Sequence, residues 1–198
     1  AAGIEPGDEV IVTPYTMSAT ATAIIAYQGI PVFADIDEKS FCLNPIEVEK
    51  KISTRTKAIM TTGIFGHPSH MDGLLKLAKK HNLVVIEDAA QAPGAIYKNS
   101  KIGSKADMTV FSLNVHKHIH TGEGGMVTTN NDDFANRLRL IRNHGEAVLE
   151  SKQQADISNC FGFNLRLTEI QAVMAIEQLK KLPQLLKDRI ENANFLSE

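Results

Sequence analysis

The stretch LVVIED, residues 83–88, constrains the fold more than any other part of the sequence. Four consecutive apolar residues lead straight into two carboxylates. A strand with one wet face alternates apolar and polar residues. An unbroken β-branched run instead demands cover on both faces, as strands in parallel sheets receive. The flanks agree, because MDGLLKLAKKHN (71–82) has apolar residues at helical spacing. The same alternation runs along the chain. EVIVT (9–13) precedes a helical SATATAIIAYQ (18–28), then Gly29 and the strand PVFADI (31–36). IEVEKKI (46–52) leads to KAIMTT (57–62), and TVFSL (109–113) and GMVTT (125–129) flank a His-rich segment. DDFANRLRLIRN (132–143) reads as a helix, with Asp132 and Asp133 in its first turn and arginines near its end. The expected class is α/β, with a mostly parallel sheet and helices on both faces.

The stretch EAVLESKQQADISN (146–159) reads as a surface loop. From Thr168 the pattern is helical again, with Leu167, Ile170, Val173, Met174, Ile176 and Leu179 on one broad face. Pro183 is expected to break or kink that helix before a final one. At 198 residues the chain can bury one good core. Its net charge of −2 gives no reason to expect nucleic acid or an anionic membrane as partner. No apolar run is long enough to span a bilayer, and no signal peptide is visible. Cys42 and Cys160 lie far apart, without CxxC or zinc spacing, which suits a reducing cytoplasm. The chain opens on AAGIEPGDEV without an initiator Met and closes on LLKDRIENANFLSE without a helix stop. The expectation is the middle of a longer protein.

In open α/β sheets, ligands bind beyond the carboxyl ends of the strands. Tyr15, Thr16 and Met17 follow one strand, Asp88 to Gln91 follow another, and Ser112 and Lys117 follow a third. Each has an ordinary reading. Asp88 could cap a helix begun by DAAQA; otherwise it could face a cationic ring nitrogen or a metal. In SLNVHKHIHTGEGG (112–125), His116, His118 and His120 alternate. On a strand they would share one face, as a metal clamp requires, but no carboxylate or cysteine stands at ligand spacing nearby. Lys117 alone could be a surface charge, Ser112 a strand-end hydroxyl and TGEGG a plain loop.

Taken together, these segments carry a resemblance. GDEVIVTPYTMSATATAI, GIPVFADID, EDAAQAPGA, FSLNVHKHIHTGEGGMV, LRLIRNHG and FGFNLRLTEIQAVMAIEQLKKL follow one another in order over nearly the whole chain. The sequence resembles the DegT/DnrJ/EryC1/StrS sugar aminotransferases, fold-type I enzymes that use pyridoxal 5′-phosphate. The resemblance implies that Lys117 joins the cofactor aldehyde and then shuttles the proton between the amino acid's α-carbon and the cofactor. It implies that Asp88 pairs with the pyridine nitrogen, that Gln91 lies near the 3′-oxygen and that Ser112 holds the phosphate. Met17 stands where the family often carries an aromatic residue against the ring. Asn164 matches an asparagine that reaches the phosphate of a neighbouring subunit, so a homodimer with shared sites is implied. Arg166 and RNHG (142–145) match family blocks without an assigned role, and His67 is a possible contact.

The resemblance further implies that residues 1–182 belong to the cofactor-binding large domain and that 183–198 begin the connection to a C-terminal domain. The family's Gly-Thr/Ser phosphate turn, which precedes GDEV, and that C-terminal domain are both missing from the sequence. The expected reaction moves an amino group, with glutamate the usual donor, to a keto sugar that is usually nucleotide-linked. Cyclitol ketones also serve some relatives. Three alternatives stand beside it: a sugar dehydratase of the same family, in which a histidine replaces the lysine; a non-catalytic regulatory relative; and a metal-binding module of the three histidines.

Overall fold

The computed structural model describes residues 1–146 and 161–197. All but Glu146 of the expected surface loop over 146–159 lies outside these residues, as does Cys160. Six strands form one sheet: β1 (Glu9–Val12), β2 (Ile30–Phe33), β3 (Thr56–Thr62), β4 (Val84–Asp88), β7 (Met108–Ser112) and β8 (Gly125–Thr128). Their spatial order is β2-β1-β3-β4-β7-β8. Every pairing is parallel except that of β7 with β8. The expected mostly parallel α/β class is what the chain adopts.

The strands alternate between two covered faces. On one, Ile11, Ile59 and Val85 pack against Val48 of α2 (Pro45–Lys51) and Met71, Leu74, Leu77 and Ala78 of α3 (Met71–His81). On the other, Val10, Val12 and Ala58 meet Ile24 of α1 (Ala19–Ile25), with Ile4, Met60 and Val84 alongside. Each fully buried aliphatic side chain contributes about 1.5–3 kcal/mol of transfer free energy, so both faces hold the sheet. The second face thins toward β7 and β8. There a groove of about 350 Å³ runs over Met60, Ile86, Met108, Val110 and Val127, beside Leu138 of α4 (Asp132–Arg142).

Local chemistry sets the helix ends. Asn44 caps α2 by accepting from the Ile46 N–H, with Pro45 at the first helical position. Asn131 caps α4 through the Asp133 and Phe134 N–H groups. Asn82 closes α3 in the left-handed conformation, φ 54°. A small hairpin, β5 (Ile96–Tyr97) with β6 (Ser100–Lys101), was not foreseen. Its turn places Lys98 and Asn99 at φ 45° and 66°. A Lys-Asn turn between two-residue strands carries none of the usual Asn-Gly signal.

Helix α5 (Glu169–Ser197) runs on past the proline at which a break or kink was expected. Pro183 lies inside it and does not end it. A proline forfeits one backbone hydrogen bond, and an interior position costs about 3 kcal/mol. Packing offsets this: Leu182, Leu185 and Leu186 sit against Leu113 and Ile119 of the loop that follows β7. The apolar stripe is also less covered than its periodicity suggests, because Ile170, Val173, Ile176 and Leu179 are all exposed. Among the described residues, no helix is long and apolar enough to cross a membrane.

Candidate active site

Because five strands run in parallel, the segments following β1, β3, β4 and β7 emerge at one edge. β8 runs the other way, so the loop over 113–124 starts and ends at that same edge. The period of two then aims the side chains. Val85 and Glu87 of β4 face α2 and α3; Val84, Ile86 and Asp88 face the α1 side.

Asp88, half-buried, is held at both oxygens. Oδ2 accepts from Thr20 Oγ1 at 2.9 Å, and Oδ1 accepts from the Ala90 N–H at 3.0 Å. The second bond resembles a cap, yet residues 89–95 turn and form no helix, so the ordinary reading of Asp88 as a helix cap fails. Gln91 sits in this turn. Its Oε1 accepts from the Phe65 N–H at 2.9 Å, which leaves the amide NH₂ to donate elsewhere. Phe65 itself has φ 55°, in the left-handed region.

The loop after β7 is built around Asn114. The Asn114 N–H donates to Ser112 Oγ at 3.3 Å, and Asn114 Oδ1 accepts from the His116 N–H at 3.2 Å. Its side-chain NH₂ donates to Glu123 Oε1 at 2.9 Å, and its carbonyl accepts from the Lys117 N–H at 2.9 Å. The loop closes through Leu113 N–H to the Gly124 carbonyl at 2.8 Å. Gly122 and Gly124 take φ 79° and 151°, and a Cβ at Gly124 would come within 3.0 Å of Leu167 and Thr121 side-chain atoms. Glycine is therefore favoured there by conformation, and a larger residue would also push those side chains aside. Gln171 of α5 donates to the Glu123 carbonyl at 2.9 Å and ties the loop to the helix. Lys117 is half-buried on this loop, and its amine forms no hydrogen bond or ion pair with the described residues.

The histidines do not form the clamp that alternation suggested. Residues 114–124 are turns, not a strand. His116 is exposed, while His118 is half-buried and held below the usual imidazole range by burial, then by the charges of Arg189 and Lys117. Among the described residues, no group of three or more His, Cys, Asp or Glu side chains could hold a metal.

Of the remaining candidates, Met17 and His67 follow β1 and β3 at this edge, whereas Asn164 lies along residues 142–145. Met17 is exposed, one turn before Thr20. His67 is exposed, with Nδ1 bonded to the Pro68 carbonyl at 2.8 Å. Asn164 is exposed and bridges to Asn143, so GFNLR lies along RNHG, joined also by Arg166 Nη1 to Asn143 Oδ1 at 2.7 Å. Within this chain Asn164 makes no hydrogen bond to Asp88, Gln91, Ser112 or Lys117. Sequence reasoning missed Thr20 and Asn114. Thr20 sits in a Ser/Thr/Ala-rich helix where nothing singles it out; Asn114 lies two residues after Ser112, an Asx-turn signal that could have been read.

The free groups at the edge are complementary to pyridoxal phosphate. Among the described residues they include a carboxylate acceptor (Asp88), a hydroxyl hydrogen (Ser112), an amide donor (Gln91) and a primary amine without a partner (Lys117). A cationic ring nitrogen, a phosphate, a phenolic oxygen and an aldehyde need that set. The comparisons point the same way. The family model described as "DegT/DnrJ/EryC1/StrS aminotransferase family" matches residues 1–198. The GDP-perosamine synthase of Caulobacter vibrioides is 43% identical over 189 residues, covering 96% of this chain and 50% of its own length. An aminotransferase structure from Psychrobacter cryohalolentis superposes with TM-score 0.86 at 38% identity, over 92% of this chain and 48% of that one. NtdA from Bacillus subtilis, solved with bound cofactor PMP, superposes with TM-score 0.81 at 33% identity, over 91% of this chain and 40% of that one. The chain spans about half the length of the curated relatives it matches. With the family model matched from end to end and the parallel-sheet fold shared with these structures, the chain belongs to the DegT/DnrJ/EryC1/StrS aminotransferase family.

Proposed function

We propose that the protein carrying this chain is a pyridoxal-phosphate-dependent aminotransferase. It moves an amino group from an amino acid, glutamate, to a keto sugar linked to a nucleotide, in the synthesis of amino sugars for polysaccharides or antibiotics. One observation carries this reading: Asp88, Gln91, Ser112 and Lys117 come from three separate segments to one sheet edge, each with a free group suited to the cofactor.

Pyridoxal phosphate, when bound, supplies a conjugated ring that takes up the electron pair left as a proton leaves the amino acid's α-carbon. Asp88 holds the ring nitrogen's proton through its carboxylate. Ser112 Oγ donates to the phosphate and Gln91 Nε2 to the ring oxygen. Met17 packs its thioether against the ring. Lys117 Nζ is the group that would join the aldehyde, and as a free amine it would carry the proton of the amino acid's α-carbon. His67, near the same edge, is a substrate contact. Asn164, unattached to this set within the chain, reaches the phosphate in a partner copy, which makes the working unit a homodimer. Residues 1–182 are the cofactor-binding domain, and 183–198 lead out of it along α5. The enzyme works in the cytoplasm, where Cys42 stays reduced.

The test is reductive trapping. Full-length protein incubated with pyridoxal phosphate and borohydride should carry the cofactor on the peptide containing Lys117, read by mass spectrometry. Lys117→Ala should carry none there, and its transamination should fall about a thousandfold or more. A label found elsewhere, or none in the wild type, sinks the assignment and revives the non-catalytic reading.

A further inference from the structure

The Asp88 carboxylate does not stand alone. Its Oδ2 accepts from Thr20 Oγ1 at 2.9 Å, and Thr20 Oγ1 lies 3.1 Å from Thr16 Oγ1. Thr20 is buried, on the first turn of α1, whereas Thr16 is half-buried and precedes the helix. A threonine hydroxyl has one hydrogen to give. With an ionised Asp88, Thr20 must give it to the carboxylate, so Thr16 must be the donor to Thr20. The order is Thr16 to Thr20 to Asp88, with all the dipoles aligned toward the negative charge. Hydrogen bonds in such a chain polarise one another.

Among the described residues, no other side chain donates to this carboxylate. Thr62 is the register partner of Asp88 in the sheet and shares its face. Its hydroxyl is buried, yet it has no hydrogen-bond partner among the described residues. Thr20 is therefore the one side-chain donor to the carboxylate among the described residues, and the Ala90 N–H fixes the other oxygen. Two donors, one on each oxygen, set the plane of the carboxylate.

We propose that Thr20, fed by Thr16, is a positioning residue that orients Asp88 and keeps the cofactor's ring nitrogen protonated. This rests on the reading of Asp88 as the ring-nitrogen partner. Thr20 touches no cofactor atom itself; it acts through the carboxylate. Valine matches threonine in shape and lacks the hydroxyl, so Thr20→Val removes the donor at nearly constant volume. Serine keeps the donor.

The experiment uses full-length protein and two readouts: the dissociation constant for pyridoxal phosphate, and the nitrogen-15 resonance of ring-labelled cofactor in the bound state. In Thr20→Val, binding should weaken about tenfold, as loss of a hydrogen bond to a charged group does. The resonance should move toward the unprotonated position. Thr20→Ser should restore both, and Thr16→Val should move both in the same direction by less. If Thr20→Val weakens binding without moving the resonance, or changes neither, the proposal is overturned. Should Thr20→Val fail to fold, Thr16→Val and Thr20→Ser decide by the same two readouts. Loss of binding in Asp88→Asn without any effect in the threonine variants removes this inference and keeps the cofactor reading. A wild type that binds no pyridoxal phosphate removes both.

Discussion

The two faces of the sheet meet at the end of β4 in a pair of adjacent carboxylates, Glu87 and Asp88, whose surroundings are opposite. Glu87 points into the closed face and is fully buried. One of its oxygens accepts from the Gly103 N–H at 3.2 Å and from Thr109 Oγ1 at 3.3 Å; the other has no partner among the described residues. Burial pushes its carboxyl above the usual range, and those two hydrogen bonds only partly oppose the shift. Asp88 points to the other face, is half-buried, and has a donor on each oxygen. A carboxylate held by two donors and partly open can serve a ligand. One with an unpartnered oxygen in the core is tolerated by the fold and contributes to its pH dependence.

That contrast can be broken by substitution. The largest effect is expected at Asp88→Asn. Losing the anion should cut transamination by the full-length protein about a hundredfold to a thousandfold, with the thermal midpoint of the apoprotein little moved. An equal loss of activity in Glu87→Gln would erase the distinction between the two faces. Next come the hydrophobic layers. Leu74→Ala, on the closed face, should cost about 2–5 kcal/mol in denaturant unfolding. Ile86→Ala, lining the open groove, should cost less, because its side chain is only half-buried. A reversed order would mean that the groove is filled in the working protein.

Glu87→Gln addresses pH. The folded value is raised, so the folded state holds its proton to higher pH than the unfolded chain does. Wild-type stability should therefore fall as pH rises from the ordinary carboxylate range through the elevated value. The Gln variant should lose that slope, seen as a smaller drop in thermal midpoint between pH 5 and pH 8. The smallest effect belongs to His118, whose shift has the opposite sign. Its neutral form is favoured in the fold, so its contribution is present above the ordinary imidazole value and lost as pH falls below it. Amide protection factors in 113–124, corrected for the intrinsic pH dependence of exchange, should fall between pH 7.5 and pH 5.5, and His118→Asn should flatten the change. No pH response in that loop would separate His118 from its docking on α5.

How much of this was legible beforehand follows from the range of each interaction. β-branched runs announced the buried parallel strands, and Asp132 and Asp133 marked the first turn of α4, because both signals are local. The convergence of Asp88, Ser112 and Lys117 at one edge followed from the rule for strand ends. The alternation of His116, His118 and His120 could make a clamp only on a strand, and Asn114 and two left-handed glycines build a loop there. Pro183 misled: its local penalty is real, but the leucines beside it find a partner far away in sequence.

Sequence alone determined the α/β class and the order of the main elements, because hydrophobic period and residue type are written along the chain. Tertiary structure alone decided which side of β4 each carboxylate faces and that Thr20, 68 positions before Asp88, is its donor. It also decided that α5 runs through its proline against the lysine loop. Those outcomes depend on contacts between segments distant in sequence, and no local pattern encodes the energy of a contact whose partner lies elsewhere in the chain.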